Sequence, residues 1–486
     1  MKLDSAFING TSVIGTGELI SRVNPAHPSQ ISDYKSSSLA DLDSAIAGAK
    51  IAFKAWSRLT PSARCAALMK FADAIEADSA NLTALEVAET GKPVAVFRDG
   101  ELPFGIDNLR YFASAARSLD GTGAGILSEG YTSIIVKRPI GIVGSIAPWN
   151  FPLIMAIWKF GPALAAGNAV ILKPAPLTPS TALRMAALAV KSGLPVGLFN
   201  VISGGDDLGK ALVAHPDIAM ISVTGATSTG QAIMASAAKT TKRLHLELGG
   251  KAPAIVFEDA DIATMAHALA MGSTYNTGQD CTAATRVYVH ESKFDDAISE
   301  LSKVMKSIRF GDPALETSDI GPLISHEHRV NVHSFVERAR LSGATIHFGG
   351  VIPDQEGFYY PPTLISHVEQ SSEVVQKEIF GPVLIVLPFS SEEEAISLAN
   401  DCAFGLASSV WTTDVARALR VCHELEVGVT WINDHLPIAS EAPHGGVKGS
   451  GFGKDMSAES LAEYCVTRHI MIKHAPTQTK ESFRPS

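Results

Sequence analysis

Short, unbroken apolar runs alternate along this chain with longer stretches whose apolar residues recur every three or four positions. Between residues 140 and 248 the runs are 140–147, 169–172, 199–202 and 218–224, and a helix-like stretch, 178–191, separates two of them. A short apolar run bounded by glycine or proline reads as a strand buried on both faces, and helical stretches between such runs act as crossovers. The rhythm predicts βαβ units and a parallel sheet with helices on both sides. Upstream, Ala45, Ile46, Ala49, Ala52 and Phe53 fall at helical spacing within a helix over 39–56, and helical blocks follow over 64–90 and 101–118. The segment Gly121-Thr122-Gly123-Ala124-Gly125 breaks that pattern, and 132–139 reads as a strand placed too early to belong to the next sheet. The alternation restarts at 254–257 and continues through 286–289, 383–386 and 431–433, which predicts a second α/β domain. At 486 residues the chain is too long for a single core.

Composition narrows the partners. A net charge of −10 argues against nucleic acid, whose binders need a basic face to displace counterions. The five cysteines, Cys65, Cys281, Cys402, Cys422 and Cys465, form no Cys-x-x-Cys pair and leave one over in any disulfide scheme, which fits a reducing cytoplasm. No stretch reaches the roughly eighteen uninterrupted apolar residues of a membrane span, so a soluble protein without a membrane partner is expected. The 15 histidines show no metal-ligand spacing. His326-Glu327-His328 has the wrong order for a zinc motif and reads as a polar helix face, so no metal is expected.

Three polar positions carry candidate chemistry. Cys281 lies in Tyr275-Asn276-Thr277-Gly278-Gln279-Asp280-Cys281-Thr282, a stretch too polar for a packed strand. A nucleophilic thiol needs polar neighbours and access, although an isolated cysteine is more often a packed one. Glu247, between leucines and ahead of Gly249-Gly250, sits where apolar structure stops and backbone comes close. Partial desolvation there raises a carboxyl toward the pKa of a general base; the alternative is an ordinary charged strand end. Asn150, in Pro148-Trp149-Asn150-Phe151-Pro152, offers an amide donor on a rigid turn, or else bonds its own backbone.

These segments, with Lys173-Pro174 and Glu378-Ile379-Phe380-Gly381-Pro382, occur in the order and approximate spacing of the aldehyde dehydrogenase superfamily, which the chain resembles over nearly its whole length. The resemblance implies two Rossmann-like parallel-sheet domains and a small β excursion for oligomerisation. It places an NAD(P)-binding domain in residues 1–118 and 140–248, a catalytic domain in 249–449, and subunit-joining segments in 119–139 and 460–486, making a homodimer or homotetramer. Cys281 would be the nucleophile, Glu247 the base, and Asn150 an oxyanion donor beside the Cys281 backbone N–H.

For the cofactor, Gly225-Ala226-Thr227-Ser228-Thr229-Gly230 follows an apolar run and opens a helix-like stretch, whose N-terminus attracts anions. Alone it is equally a glycine-capped turn, and it lacks the Gly-Lys-Ser/Thr ending of a nucleotide-triphosphate loop. The resemblance puts the NAD pyrophosphate at Gly225 and Gly230, the adenine ribose at Lys173 and the nicotinamide ribose at Glu378, with Phe380 and Trp149 beside it. Pro176 stands where many NAD-preferring relatives carry a glutamate that repels a 2′-phosphate, so NADP use stays open. Ala226 stands where relatives often carry serine.

Within the superfamily the chain is most similar to γ-aminobutyraldehyde (1-pyrroline) and other aminoaldehyde dehydrogenases, on residues 145–150, Trp158-Lys159, 276–283 and 440–446. A cationic aldehyde calls for aromatic faces or carboxylates at the end of its tunnel, and the candidates are Trp158, Glu101, Asp107, His435 and Glu441. Glu101 and Asp107 are six apart and do not share a helix face. Betaine aldehyde, aliphatic aldehydes and succinate semialdehyde are the alternatives, the last requiring a cation such as Arg110 or Lys159. A non-redox cysteine hydrolase or acyltransferase would orient a histidine toward the thiol, and no histidine occupies a motif that does so. A binding protein that has lost catalysis is opposed by the intact Cys281, Glu247 and Asn150.

Overall fold

The structure, a computed structural model, describes residues 5–119, 121, 123–477 and 483. Five parallel strands, Ile142–Ile146, Ala169–Lys173, Phe199–Ile202, Met220–Thr224 and Arg243–Glu247, form the centre of an eight-stranded sheet. The first four are buried almost throughout, which is why their sequences are continuously apolar rather than alternating. In space they run third, second, first, fourth, fifth, so the order reverses between Ile142–Ile146 and Met220–Thr224 and a crevice opens beyond their carboxyl ends. Two additions have no counterpart in the sequence pattern. The hairpin Ala6–Ile8 and Thr11–Val13 pairs antiparallel with Phe199–Ile202, and the two-residue strand Gly451–Phe452 pairs antiparallel with Arg243–Glu247. Elements this short carry no periodicity.

The helix Leu39–Trp56 opens with a reciprocal capping box between Ser38 and Asp41. The block expected over 64–90 is two helices, Pro61–Ala77 and Ser79–Thr90, parted at Asp78. Helix Pro152–Ala166 starts with proline in its first turn, where the missing N–H costs nothing, and is buried on every side.

The second sheet has seven strands in the order Thr345–Phe348, Thr363–Ser366, Val383–Phe389, Ala284–His290, Ala252–Val256, Ala407–Trp411, Val429–Ile432. All neighbours are parallel except the first pair. Glu247 ends the last parallel strand of the first sheet and Cys281 shortly precedes Ala284–His290 of the second. The carboxyl end of one sheet therefore meets the amino end of the other at a seam. A separate three-stranded sheet joins Gly125–Ser128, Tyr131–Pro139 and Cys465–Lys473, the last two paired from Cys465↔Pro139 to Lys473↔Tyr131. Parts of the segments expected to join subunits, residues 120, 122, 478–482 and 484–486, lie outside the described residues.

The return segment after residue 449 is locked to the first sheet by a buried ion pair. Lys159, on helix Pro152–Ala166, lies 2.9 Å from Asp455 Oδ2, and both side chains are fully buried. Removing one partner of a buried pair strands the other, so Asp455→Ala should cost about 3–5 kcal/mol, and Asp455→Asn less. Urea unfolding of both variants measures this; an unchanged midpoint in Asp455→Ala would exclude the anchoring role.

Candidate active site

The loop that presents Cys281 is bent by three consecutive residues in the left-handed region, Asn276 (φ 49°), Thr277 (φ 58°) and Gly278 (φ 70°). For the first two this conformation is strained, and side-chain bonds hold it in place. Asn276 Nδ2 donates to the Asn150 carbonyl at 2.8 Å and the Gln279 carbonyl at 3.1 Å, and Thr277 Oγ1 donates to the Gly321 carbonyl at 3.0 Å. At Gly278 a Cβ would lie 2.3 Å from the Gly381 carbonyl, so the position admits only glycine. Asn150 Nδ2 donates to the Gln279 carbonyl at 3.0 Å, which fixes its amide two residues from Cys281 and leaves one N–H unspent.

Glu247 is 1% exposed, and neither carboxyl oxygen has a hydrogen-bond partner among the described residues. Burial, reinforced by Asp455, pushes its carboxyl well above the usual range. Burial and the nearby Asp280 and Glu247 carboxylates push the Cys281 thiol up as well, so the resting sulfur keeps its proton. His444, absent from the sequence-derived candidates, completes the group. Its Nε2 lies 3.7 Å from Glu247 Oε1, its Nδ1 has no hydrogen-bond partner, and its ring is 5.3 Å from that of Trp158. Burial, with Lys454 and Lys159 nearby, pushes its imidazole down to about 4. Donor atoms of Glu247, Cys281 and His444 all fall within 4.8 Å of one another. A histidine does therefore face the thiol, contrary to expectation. Its sequence signal was Pro443-His444-Gly445-Gly446, where Gly445 lets the backbone approach Glu247: a Cβ there would sit 3.1 Å from Oε2.

Cys281 lines a cavity of about 460 Å³ whose walls include Phe104, Phe151, Met155, Trp158, Tyr275 and Ile438. Glu101 reaches it, but is buried and ion-paired with Lys92. Asp107 and Glu441 are exposed and outside the lining; Asp107 accepts a hydrogen bond from Ser440 instead. His435 lines the cavity with both ring nitrogens engaged, Nε2 with the Thr282 carbonyl at 2.8 Å and Nδ1 with Ser409 Oγ at 3.0 Å, so it braces the loop that carries Cys281. Arg110 pairs with Asp73 and Glu76 and Lys159 with Asp455, so neither serves the cavity, whose lining includes no lysine or arginine among the described residues.

In the crevice, Gly225 has open space where a Cβ would stand, its nearest neighbour at 4.0 Å. The following helix, Thr227–Ala237, begins with no side-chain cap because Ala226 has none to offer, and the buried Thr224 hydroxyl just before it has no partner among the described residues. Uncapped N–H groups beside an open glycine and an orphaned hydroxyl fit a pyrophosphate. Gly230 has a different job: a Cβ there would lie 2.6 Å from Leu248, so it lets the helix pack on the strand end. Burial lowers Lys173 to about 8. Glu378 Oε1 accepts from the Gly250 N–H at 2.7 Å, and Phe380 (φ 59°) meets Trp149 edge to face at 5.3 Å. His328, read as part of a polar helix face, is turned inward onto the Phe380 carbonyl at 2.7 Å.

The sequence model of the aldehyde dehydrogenase family matches residues 13–470. The chain belongs to the aldehyde dehydrogenase family. It is 38% identical over 464 residues to phenylacetaldehyde dehydrogenase of Pseudomonas fluorescens, covering 93% of this chain and 92% of that one. Betaine aldehyde dehydrogenase of Staphylococcus aureus, solved with NAD+, superposes with a TM-score of 0.96 at 35% identity, covering 100% of this chain and 97% of that one. An NAD-dependent aldehyde dehydrogenase from Sinorhizobium meliloti gives 0.95 at 36% identity, covering 98% and 96%.

In this aldehyde dehydrogenase the bracing histidine carries a pH signature. Burial lowers His435 from 6.5 to about 4, so between those values the unfolded chain binds the extra proton. His435 therefore contributes fully above pH 6.5 and progressively less as pH falls toward 4. His435→Gln should be less stable than the parent at pH 7, with the gap narrowing at pH 5, as read by chemical denaturation. An unchanged gap would rule out a buried neutral imidazole.

Proposed function

We propose that this aldehyde dehydrogenase oxidises a cationic ω-aminoaldehyde of the γ-aminobutyraldehyde type to its acid, with NAD as acceptor. The observation that carries the reading is the gathering of Cys281, Glu247 and the Asn150 amide around one end of an aromatic-walled cavity without a lining cation. The Cys281 thiol gives up its proton to water as sulfur attacks the aldehyde carbon, the carbonyl electron pair moves onto oxygen, and the remaining Asn150 N–H with the Cys281 backbone N–H receives the developing oxyanion. Lys173, Gly225, Glu378 and Phe380 would hold NAD, which would supply the hydride acceptor for oxidation of the Cys281 adduct. Glu247, once ionised, takes the proton of the water that releases the acid. Because desolvation keeps this carboxyl protonated above the usual range, turnover should rise with pH as it ionises. Pro176 offers neither hydrogen bond nor repulsion to a 2′-phosphate, so NADP is also admitted.

Aromatic faces at Phe104, Phe151, Trp158 and Tyr275, with Asp434 and Glu101 among the lining residues, support a cationic tail. The pairing of Glu101 with Lys92 favours a second reading, an arylacetaldehyde filling the apolar walls. The three-stranded sheet supports a homo-oligomer: Cys465–Lys473 is one of its two edge strands, and Ile470, Met471 and Ile472 are exposed on it.

Cys281→Ala should abolish aldehyde oxidation and leave dinucleotide binding intact, by fluorescence titration; lost binding would make the thiol structural. Glu247→Gln should retain a burst of one reduced nicotinamide per site while steady turnover falls on the order of 100-fold or more. A panel of amino, trimethylammonio, aryl and carboxy aldehydes with both nicotinamides tests the substrate. Preference for a carboxy aldehyde would overturn both substrate readings.

A further inference from the structure

Glu247, Cys281 and His444 supply an oxygen, a sulfur and a nitrogen from three distant parts of the chain, within 4.8 Å of one another, and the last two line the cavity. Among the described residues no other three histidine, cysteine or carboxylate side chains converge so closely. Such a mixed set is the ligand chemistry of a borderline-soft divalent cation, with tetrahedral zinc bonded at about 2.0–2.3 Å. Those bond lengths place neighbouring ligand atoms about 3.3–3.8 Å apart. The separation of Glu247 Oε1 and His444 Nε2, 3.7 Å, is a few tenths of an ångström above the roughly 3.3–3.5 Å that an oxygen and a nitrogen on tetrahedral zinc require. Bringing Cys281 Sγ into the same range needs a shift of about 1 Å, within the reach of a χ1 adjustment.

Three further observations point to a ligand. Both Glu247 oxygens are buried without hydrogen-bond partners, so a cation displaces no protein contact from them. His444 Nδ1 is likewise unpartnered, so turning the ring would break no hydrogen bond at that nitrogen. One thiolate and one carboxylate neutralise a dication, so the loaded site adds no net charge to a buried seam. Lys159 and Lys454 stand nearby, but Asp455 pairs with the first and the second donates to the Gly445 carbonyl.

We propose that Zn2+ binds this aldehyde dehydrogenase at Glu247, Cys281 and His444, with its fourth position open to the cavity, and so holds the enzyme in a thiol-masked, inactive and reversible state. Binding forms bonds from the metal to sulfur, oxygen and nitrogen. The thiol proton, and the carboxyl proton where present, leave to water, and nothing is oxidised. The site rests on the geometry of the three side chains and not on which aldehyde is the substrate.

The test uses the full-length, reduced, chelator-treated protein and needs no turnover. Zn2+ is titrated against a chromophoric chelator, Co2+ is added separately to look for a thiolate charge-transfer band, and alkylation of Cys281 by iodoacetamide is followed by peptide mass. The expected result is one zinc per chain lost on chelation, a cobalt–thiolate band, and protection of Cys281. Cys281→Ala should lose the band, and His444→Phe and His444→Asn should weaken zinc on the order of 100-fold. Dinucleotide binding by each variant confirms that it is folded. Equal zinc affinity in parent and folded variants, a cobalt complex without the band, or unprotected Cys281 at saturating zinc would each overturn the proposal.

Discussion

Close approach of backbone at the seam between the two sheets is the constraint on which the rest depends. A Cβ on Gly250 would lie 2.0 Å from the Cys281 carbonyl, one on Gly249 would lie 2.4 Å from Glu378, and one on Gly278 would strike Gly381. The strand end thus touches the Cys281 loop main chain to main chain, that loop touches the Glu378-to-Pro382 turn in the same way, and the Glu378 side chain closes the third side against Gly249. Only such contact brings a carboxylate closing one sheet and a thiol opening the other to bear on the same few cubic ångströms. The left-handed turn at Asn276 and Thr277 is the local cost of that arrangement.

Burial of charge is the second consequence. Glu247, Cys281, His444, Asp455 and Lys159 are packed where water would otherwise stabilise their charged forms, and only Lys159 and Asp455 form a close ion pair. Carboxyl and thiol are held protonated and imidazole neutral, so the resting seam carries little unbalanced charge. Each group becomes reactive only when a partner, proton acceptor or cation compensates the charge it develops.

Much of this was legible in the sequence because it follows from local patterns. The helix Leu39–Trp56 and the strand Phe199–Ile202 coincide with their expected spans, since a continuous helical face or apolar run leaves little choice. The hairpin Ala6–Ile8 and Thr11–Val13, the return strand Gly451–Phe452 and the strand Ala407–Trp411 were not foreseen. The first two are too short for periodicity, and the last mixes serines with apolar residues. At the site, Cys281, Glu247 and Asn150 stood out through their polar or glycine-rich surroundings. His444 did not, because its meaning comes from a partner nearly two hundred residues upstream (roughly the span between the two sheets' contributions) that spacing rules do not reach. Asp107 and Glu441 shared a plausible charge with Glu101 but not its orientation, which packing decides.

The return of the chain to the first sheet also makes the centre depend on distant, late residues. His444, the Gly451–Phe452 strand and Asp455 all come late in the sequence, yet they close the wall behind Glu247. A chain ending before residue 440 would keep the seam contacts at Gly249, Gly250 and Gly278 but lack the histidine beside Glu247 and the partner of Lys159. The surroundings that tune the Glu247 carboxyl are therefore complete only when this late segment is in place.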